Sequence, residues 1–223
     1  MPPILRRALV SLLLAAPLLV VGPPALASYP PVLNHVGSAN HVMIVTAPGW
    51  TSTKGTLTFW EKRPSGWKPV KSTPVWVGRN GFHTTTQRHE GDGTTPAGKF
   101  PMRYAFGSWA NPGVHVGWRT IVPHSCWSGE RADYNTWQHR VCTTRDEDLW
   151  AARAVAYRYV ADVGFNDNPA VWGRGSAIFL HVSLGQPTHG CVSMAQDTMI
   201  WLLRWEQPGT VIVLGPQSYV NTL

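Results

Sequence analysis

The segment from Ala177 to Cys191 constrains this chain more than any other. Ala177-Ile178-Phe179-Leu180-His181-Val182 is a nearly continuous apolar run, the pattern of a buried strand. It fixes His181 on a rigid element and leads within a few residues to Thr188-His189-Gly190-Cys191. Ser193-Met194-Ala195-Gln196 then has capping-box spacing, and the apolar run through Trp205 predicts a helix. On that reading Cys191 sits just before a helix N-terminus, where unpaired N–H groups and the macrodipole favour a thiolate. An ordinary thiol is only a few per cent ionised at neutral pH, so a nucleophilic cysteine needs such a field and a base beside it.

The rest of the chain reads as strands with few helices. His41–Thr46 and Thr56–Trp60 are strand-like, Pro64-Ser65-Gly66 marks a turn, and a third strand runs from Trp67 to Val77. Thr144-Arg145-Asp146-Glu147 is a second capping box; Leu149, Ala152, Ala156, Tyr159 and Val163 follow at helical spacing up to Gly164, which predicts a helix there. Thr210–Leu214 reads as a closing strand. No internal repeat or low-complexity linker divides the chain, so 28–223 is expected to form one domain.

Arg6 and Arg7, an apolar stretch from Ala8 to Val21 and the small-x-small triplet Ala25-Leu26-Ala27 read as a signal peptide over 1–27, with export as the consequence. An uncleaved anchor is the alternative. In an oxidising compartment, three cysteines leave one over after pairing. Cys126 and Cys142 bracket a polar, aperiodic stretch of the kind a bridge holds, worth about 3 kcal/mol in the chain-entropy model; Cys191 is then the free thiol. The net charge of +7 falls to +5 without Arg6 and Arg7, a modest excess common among exported proteins. Lys and Arg are scattered with no stacking motif, which argues against nucleic acid as a partner. His181, His189 and Cys191 do not have a usual structural zinc spacing, so no metal or other cofactor is expected. Of the 12 tryptophans, most suit packing roles; Trp109, Trp127 and Trp137 are candidates for an aromatic shelf against glycan rings, and Tyr134 and Asn135 for cleft lining.

An upstream histidine followed by Thr188-His189-Gly190-Cys191 resembles the signature of the L,D-transpeptidase family, the YkuD-type catalytic domain that cross-links peptidoglycan through a cysteine acyl-enzyme. Gly91-Asp92-Gly93-Thr94-Thr95-Pro96-Ala97-Gly98-Lys99-Phe100 is similar to that family's second element, a glycine-rich turn leading into Thr-Pro-x-Gly-x-Phe. The resemblance covers roughly Val75 to Leu214. Two features depart from the family pattern: the short connection from His181 to Thr188, and Ser193 where Asn or Arg is usual. Donor and acceptor specificity are therefore not carried over with the chemistry.

The resemblance implies a mostly β, sandwich-like catalytic fold with few helices. It also implies attack by Cys191, with His181 as base, on the tetrapeptide stem of peptidoglycan, D-alanine leaving and an amine accepting the acyl group. The His181 ring would be oriented through the backbone carbonyl of Val182, with no acidic third member. Backbone N–H groups around His189, Gly190 and Cys191 would hold the oxyanion, with Thr188 in the same turn, and Gly190 would allow close backbone approach. A covalent carbapenem adduct on Cys191 is expected on the same grounds. Two other classes stay open: a wall carboxypeptidase or thiol hydrolase using water as acceptor, and a non-catalytic wall-binding protein. The oligomeric state is not legible.

Overall fold

The computed structural model describes residues 29–223; the proposed signal peptide over 1–27 lies outside the described residues. No described helix is long and apolar enough to cross a membrane.

Three strands open the chain as a meander: β1 (His41–Ala47), β2 (Lys54–Arg63) and β3 (Gly66–Trp76). A short β4 (Phe82–Thr84) leads to the long β5 (Thr95–Gly107) and to β6 (Trp118–Thr120). Then come β7 (Ser125–Trp127), β8 (Trp137–His139) and β9 (Glu147–Asp148), which form a separate small sheet in the order β8-β7-β9. The chain ends with β10 (Val160–Val163), β11 (Phe179–Val182), β12 (Val192–Met194), helix α1 (Gln196–Trp205), β13 (Val211–Pro216) and the short α2 (Gln217–Val220).

The main sheet runs β10-β11-β12-β3-β2-β1-β13-β5-β4, and pairing of β10 with β5 closes it on itself like a barrel. The expected mostly β domain with few helices is what the chain forms. Period-two alternation fills the interior: Leu57 and Phe59 of β2, Leu180 and Val182 of β11, and Val192 and Met194 of β12 share one core with Met199, Leu202 and Leu203 of α1.

The opposite face of β11 is also covered. Phe179 meets Trp127 edge-on with ring centroids 4.9 Å apart, and Phe106 at 5.1 Å. With Leu149, Tyr157 and Cys191 these rings make a second buried cluster under the segment joining β5 to β10. β11 is thus buried on both faces, which explains its unbroken apolar run.

Two expectations fail here. Thr144–Val163 is not a helix: it contains β9, two turns of 3-10 helix (Ala151–Ala154 and Ala156–Arg158) and β10. Asp146, read as part of a capping box, instead accepts from Gly129 N–H at 3.1 Å, Thr143 N–H at 2.7 Å and the Arg140 guanidinium at 2.6 Å, tying a loop. The valines of β10 are buried along with its whole length and pair with β5 and β11, so sheet closure outweighs helical periodicity. Nor does Cys191 cap a helix. Ser193 lies in β12 opposite Trp76, and α1 begins at Gln196 behind Ala195, which makes no side-chain cap.

Candidate active site

β11 and β12 are parallel neighbours in register, His181 facing Ser193 and Leu180 facing Val192. Alternation therefore turns Phe179, His181, Cys191 and Ser193 to the outer face, under the small sheet. His181 and Cys191 open onto one cavity of about 460 Å³, whose wall also includes Arg88, Glu147, Tyr157 and His189.

The imidazole is held on one side only. Its Nδ1 lies 2.9 Å from the carbonyl oxygen of Val182, an acceptor, so Nδ1 carries the proton and the neutral ring keeps its lone pair on Nε2. The Tyr157 ring stands edge-on to it, centroids 5.7 Å apart. His181 is only 8% exposed, and burial, partly offset by the Val182 bond, lowers its pKa to about 4.

Cys191 is the free cysteine among the described residues; Cys126 and Cys142 form the disulfide. Its thiol donates to the carbonyl of Ala177 at 3.3 Å and accepts the Phe179 N–H at 3.4 Å. No hydrogen bond joins Sγ to the His181 ring among the described residues. Burial pushes the thiol up to about 12; the Phe179 N–H and the Arg88 charge pull the other way, and Glu147 adds to the rise. The expected helix end at Cys191 is corrected: the thiol precedes β12 in a buried pocket, where burial disfavours its ionisation. A thiol and an imidazole opening onto one cavity are the groups that a proton transfer from Sγ to Nε2, coupled to attack of sulfur on an electrophile, requires.

The two sequence motifs meet at the main chain of Cys191. Thr188 Oγ1 donates to the Cys191 carbonyl at 2.7 Å, and Thr95 Oγ1, from the Thr-Pro element, reaches the same oxygen at 3.4 Å. Thr95 also accepts the Gly78 N–H at 2.8 Å, next to the bridge between Gly78 and Thr188. Gly190 has φ of 144°, and a Cβ there would fall 2.9 Å from the Thr94 carbonyl oxygen, so only glycine fits. Its N–H is engaged by Thr188 Oγ1 at 3.1 Å. That removes Gly190 from the expected set of free oxyanion donors. His189 is exposed on the cavity wall.

Several residues around the site have no motif to reveal them. Asn135 is buried with all its polar capacity spent: Oδ1 accepts from Trp127 Nε1 at 2.7 Å and from Ala177 N–H at 3.0 Å, and Nδ2 donates to the carbonyls of Phe165 and Asn166. Tyr157 donates to Glu147 Oε1 at 2.8 Å. Glu147 is an exposed residue on the cavity wall, and desolvation raises the pKa of its carboxyl. Among the proposed shelf residues, Trp127 is buried and Trp137 packs edge-on against Phe106; Trp109 stays exposed, beneath the Arg158 guanidinium. Tyr134 and Asn135 are buried behind the cavity rather than lining it.

Solved structures similar to the chain include Bd1075 of Bdellovibrio bacteriovorus (14% identity, 80% of this chain and 48% of that one, TM-score 0.43). Others are L,D-transpeptidase 1 of Mycobacterium tuberculosis (12%, 78% and 62%, TM-score 0.36) and an L,D-transpeptidase from Mycobacterium smegmatis (12%, 79% and 59%, TM-score 0.37). The chain thus spans about half to three fifths of the length of these proteins. No curated protein matches it. The model of the YkuD L,D-transpeptidase catalytic domain matches residues 50–214, most of the chain and both motifs that converge on Cys191, and the chain belongs to that family.

Proposed function

We propose that this chain is a peptidoglycan L,D-transpeptidase working through an acyl-enzyme on Cys191, exported by a signal peptide over 1–27. The observation that supports it best is the shared cavity. It holds the free thiol together with an imidazole whose Nδ1–H is committed to the Val182 carbonyl, which leaves Nε2 as the available base. The thiol turns from the Ala177 carbonyl towards His181, gives its proton to Nε2, and attacks the carbonyl carbon before the terminal D-alanine of a tetrapeptide stem. A carbon–sulfur bond forms, and the carbon–nitrogen bond breaks as the imidazolium returns the proton to the departing amine. The acceptor amine of a neighbouring stem then attacks the thioester, giving its proton to His181 and releasing the thiol. On this reading the oxyanion that develops in both steps is held by backbone N–H groups at His189 and Cys191. No acidic third member is needed, since Val182 fixes the tautomer.

Intact-mass analysis after incubation with a disaccharide-tetrapeptide tests the reading. It requires an acyl adduct on Cys191, free D-alanine and a cross-linked product; free tripeptide alone would identify water as the acceptor and make the protein a carboxypeptidase. Absence of any adduct together with unchanged substrate would refute the proposal.

A further inference from the structure

Arg88, which no motif assigns, has unspent polar capacity in the site. It is 4% exposed, and its guanidinium lies in a slot between two glycines. A Cβ on Gly175 would be 2.8 Å from Nε, and one on Gly190 would be 3.2 Å from Nη2. The Phe165 ring forms the floor, 5.2 Å from Cζ. Nη1 donates to the Thr94 carbonyl at 2.7 Å, while Nε has no hydrogen-bond partner and stands 4.0 Å from Asp92 Oδ1. Asp92 is already occupied by the N–H groups of His89 and Thr94 and by the Thr94 hydroxyl. Nη2 has no acceptor among the described residues, and Arg88 is part of the cavity wall with Cys191.

A guanidinium keeps its charge when buried; Asp92 supplies a countercharge at 4.0 Å, but Nε has no hydrogen-bond partner and Nη2 none among the described residues, and a buried donor left unpaired is costly until an acceptor completes it. The acids of the same cavity do not serve: Glu90 is taken by the hydroxyls of Tyr134 and Ser176, and Glu147 by that of Tyr157. Of the other cations in the wall, Arg79 is exposed and Arg145 pairs with Glu130. Arg88 is therefore a built, buried donor facing open space.

Resting on the function proposed above, we infer that Arg88 Nη2 binds the free α-carboxylate of the residue that leaves during acylation. Nη2 stands against Gly190, one residue before the cysteine. An α-carboxylate is separated from the attacked carbon by only the nitrogen and Cα of the leaving residue, about one extended residue of 3.3–3.6 Å. A charged end-on contact of this kind selects stems that terminate one residue beyond the scissile bond.

The test compares two substrates on the wild-type protein, a tetrapeptide stem with a free terminal carboxylate and the same stem with a terminal carboxamide, reading acyl-Cys191 by mass and kcat/KM by release of the terminal residue. The acid is expected to be favoured by about 10- to 100-fold, the range of a charge-assisted hydrogen bond, with the difference chiefly in KM. In Arg88→Gln the acid-to-amide ratio should collapse towards one, and Arg88→Lys should restore part of it. Because each ratio is internal to one protein, a general loss of activity cancels. Equal efficiency on acid and amide in the wild type overturns the inference, as does an Arg88→Gln variant that slows both substrates alike in kcat, which would assign Arg88 to the oxyanion. Failure of both stems to acylate Cys191 refutes the proposed function and this inference with it.

Discussion

Asn135 and Ala177 are joined by a buried hydrogen bond from the Ala177 N–H to Asn135 Oδ1 at 3.0 Å, and the carbonyl of the same Ala177 receives the Cys191 thiol. Ala177 has φ of 53°, a left-handed conformation that is uncommon without glycine and persists where the surroundings hold it. The Asn135 amide thus anchors the main chain against which the thiol rests. Asn135→Ala should leave two buried donors, Trp127 Nε1–H and Ala177 N–H, without acceptors, and lower stability by roughly 2–4 kcal/mol. Urea unfolding would measure this, and a loss below about 0.5 kcal/mol would show that the anchor is dispensable.

Cys191→Ala should abolish turnover and keep the fold, because the thiol fills little volume and its hydrogen bonds are weak. His181→Ala should reduce kcat by roughly three orders of magnitude or more, as expected for loss of the base in a nucleophile–base pair. Carbapenem treatment followed by intact-mass analysis should give one adduct on the wild type and none on Cys191→Ala. An equal adduct on both, or wild-type rates in either variant, would move the reactive group elsewhere.

The pH dependence follows from a neutral thiol and a neutral imidazole. With His181 at about 4 and Cys191 at about 12, activity should hold a plateau across the neutral range and fall only as pH drops towards 4, where the base is lost. Stability moves in the same direction. The unfolded chain binds a proton on His181 below its ordinary value of 6.5 while the folded protein resists until about 4, so stability present above 6.5 is lost as pH falls through that window, by roughly 3 kcal/mol at about 1.4 kcal/mol per unit. Turnover and iodoacetamide labelling from pH 4 to 10 would check the profile; a bell centred on neutral pH would contradict the neutral pair.

The family was more legible in the sequence than the surroundings of its motifs. The His181-to-Cys191 segment and the Thr-Pro element stood out because each holds residue types of restricted use at a restricted spacing, and the Cys126–Cys142 pairing was read from the polar, aperiodic stretch that the two cysteines bracket. The segment from Thr144 to Val163 misled because apolar residues three and four apart also occur where turns alternate with a short strand, and only long-range pairing of β10 with β5 and β11 separates the two. Arg88 and Tyr157 escaped for another reason, since burial and long-range hydrogen bonding have no local pattern, and Asn135 was read as lining the cleft when it is a buried anchor behind it. The capping-box reading of Ser193 was wrong by one short strand, enough to exchange a helix-end thiolate for a buried thiol.

The disulfide links stability to the site. Cys126 lies on β7, which pairs with β9, and β9 carries Glu147 to the cavity wall. The bridge to Cys142 closes a loop with a sequence separation of 16, worth about 3 kcal/mol. Replacing both residues, as Cys126→Ser with Cys142→Ser, should lower the melting temperature and speed alkylation of Cys191 as the covering segment opens. Unchanged alkylation alongside a lower melting temperature would mean that the small sheet is held over the thiol by the Phe179 cluster alone.

The last prediction concerns Glu206, at the end of α1. It is fully buried, neither carboxyl oxygen has a hydrogen-bond partner among the described residues, and burial raises its pKa from 4.5 to about 8. Below pH 4.5 both folded and unfolded chains hold the proton, and the residue imposes no ionisation cost. Between 4.5 and 8 the unfolded chain releases it while the folded protein retains it, so the folded state binds more protons and stability declines as pH rises. Above 8 the full cost is in place, on the order of a few kcal/mol. Glu206→Gln removes the ionisation but keeps the shape, so it should raise the melting temperature at pH 9 and leave it nearly unchanged at pH 4.5. Equal effects at both pH values would show that the Glu206 carboxyl finds a partner or water on ionisation.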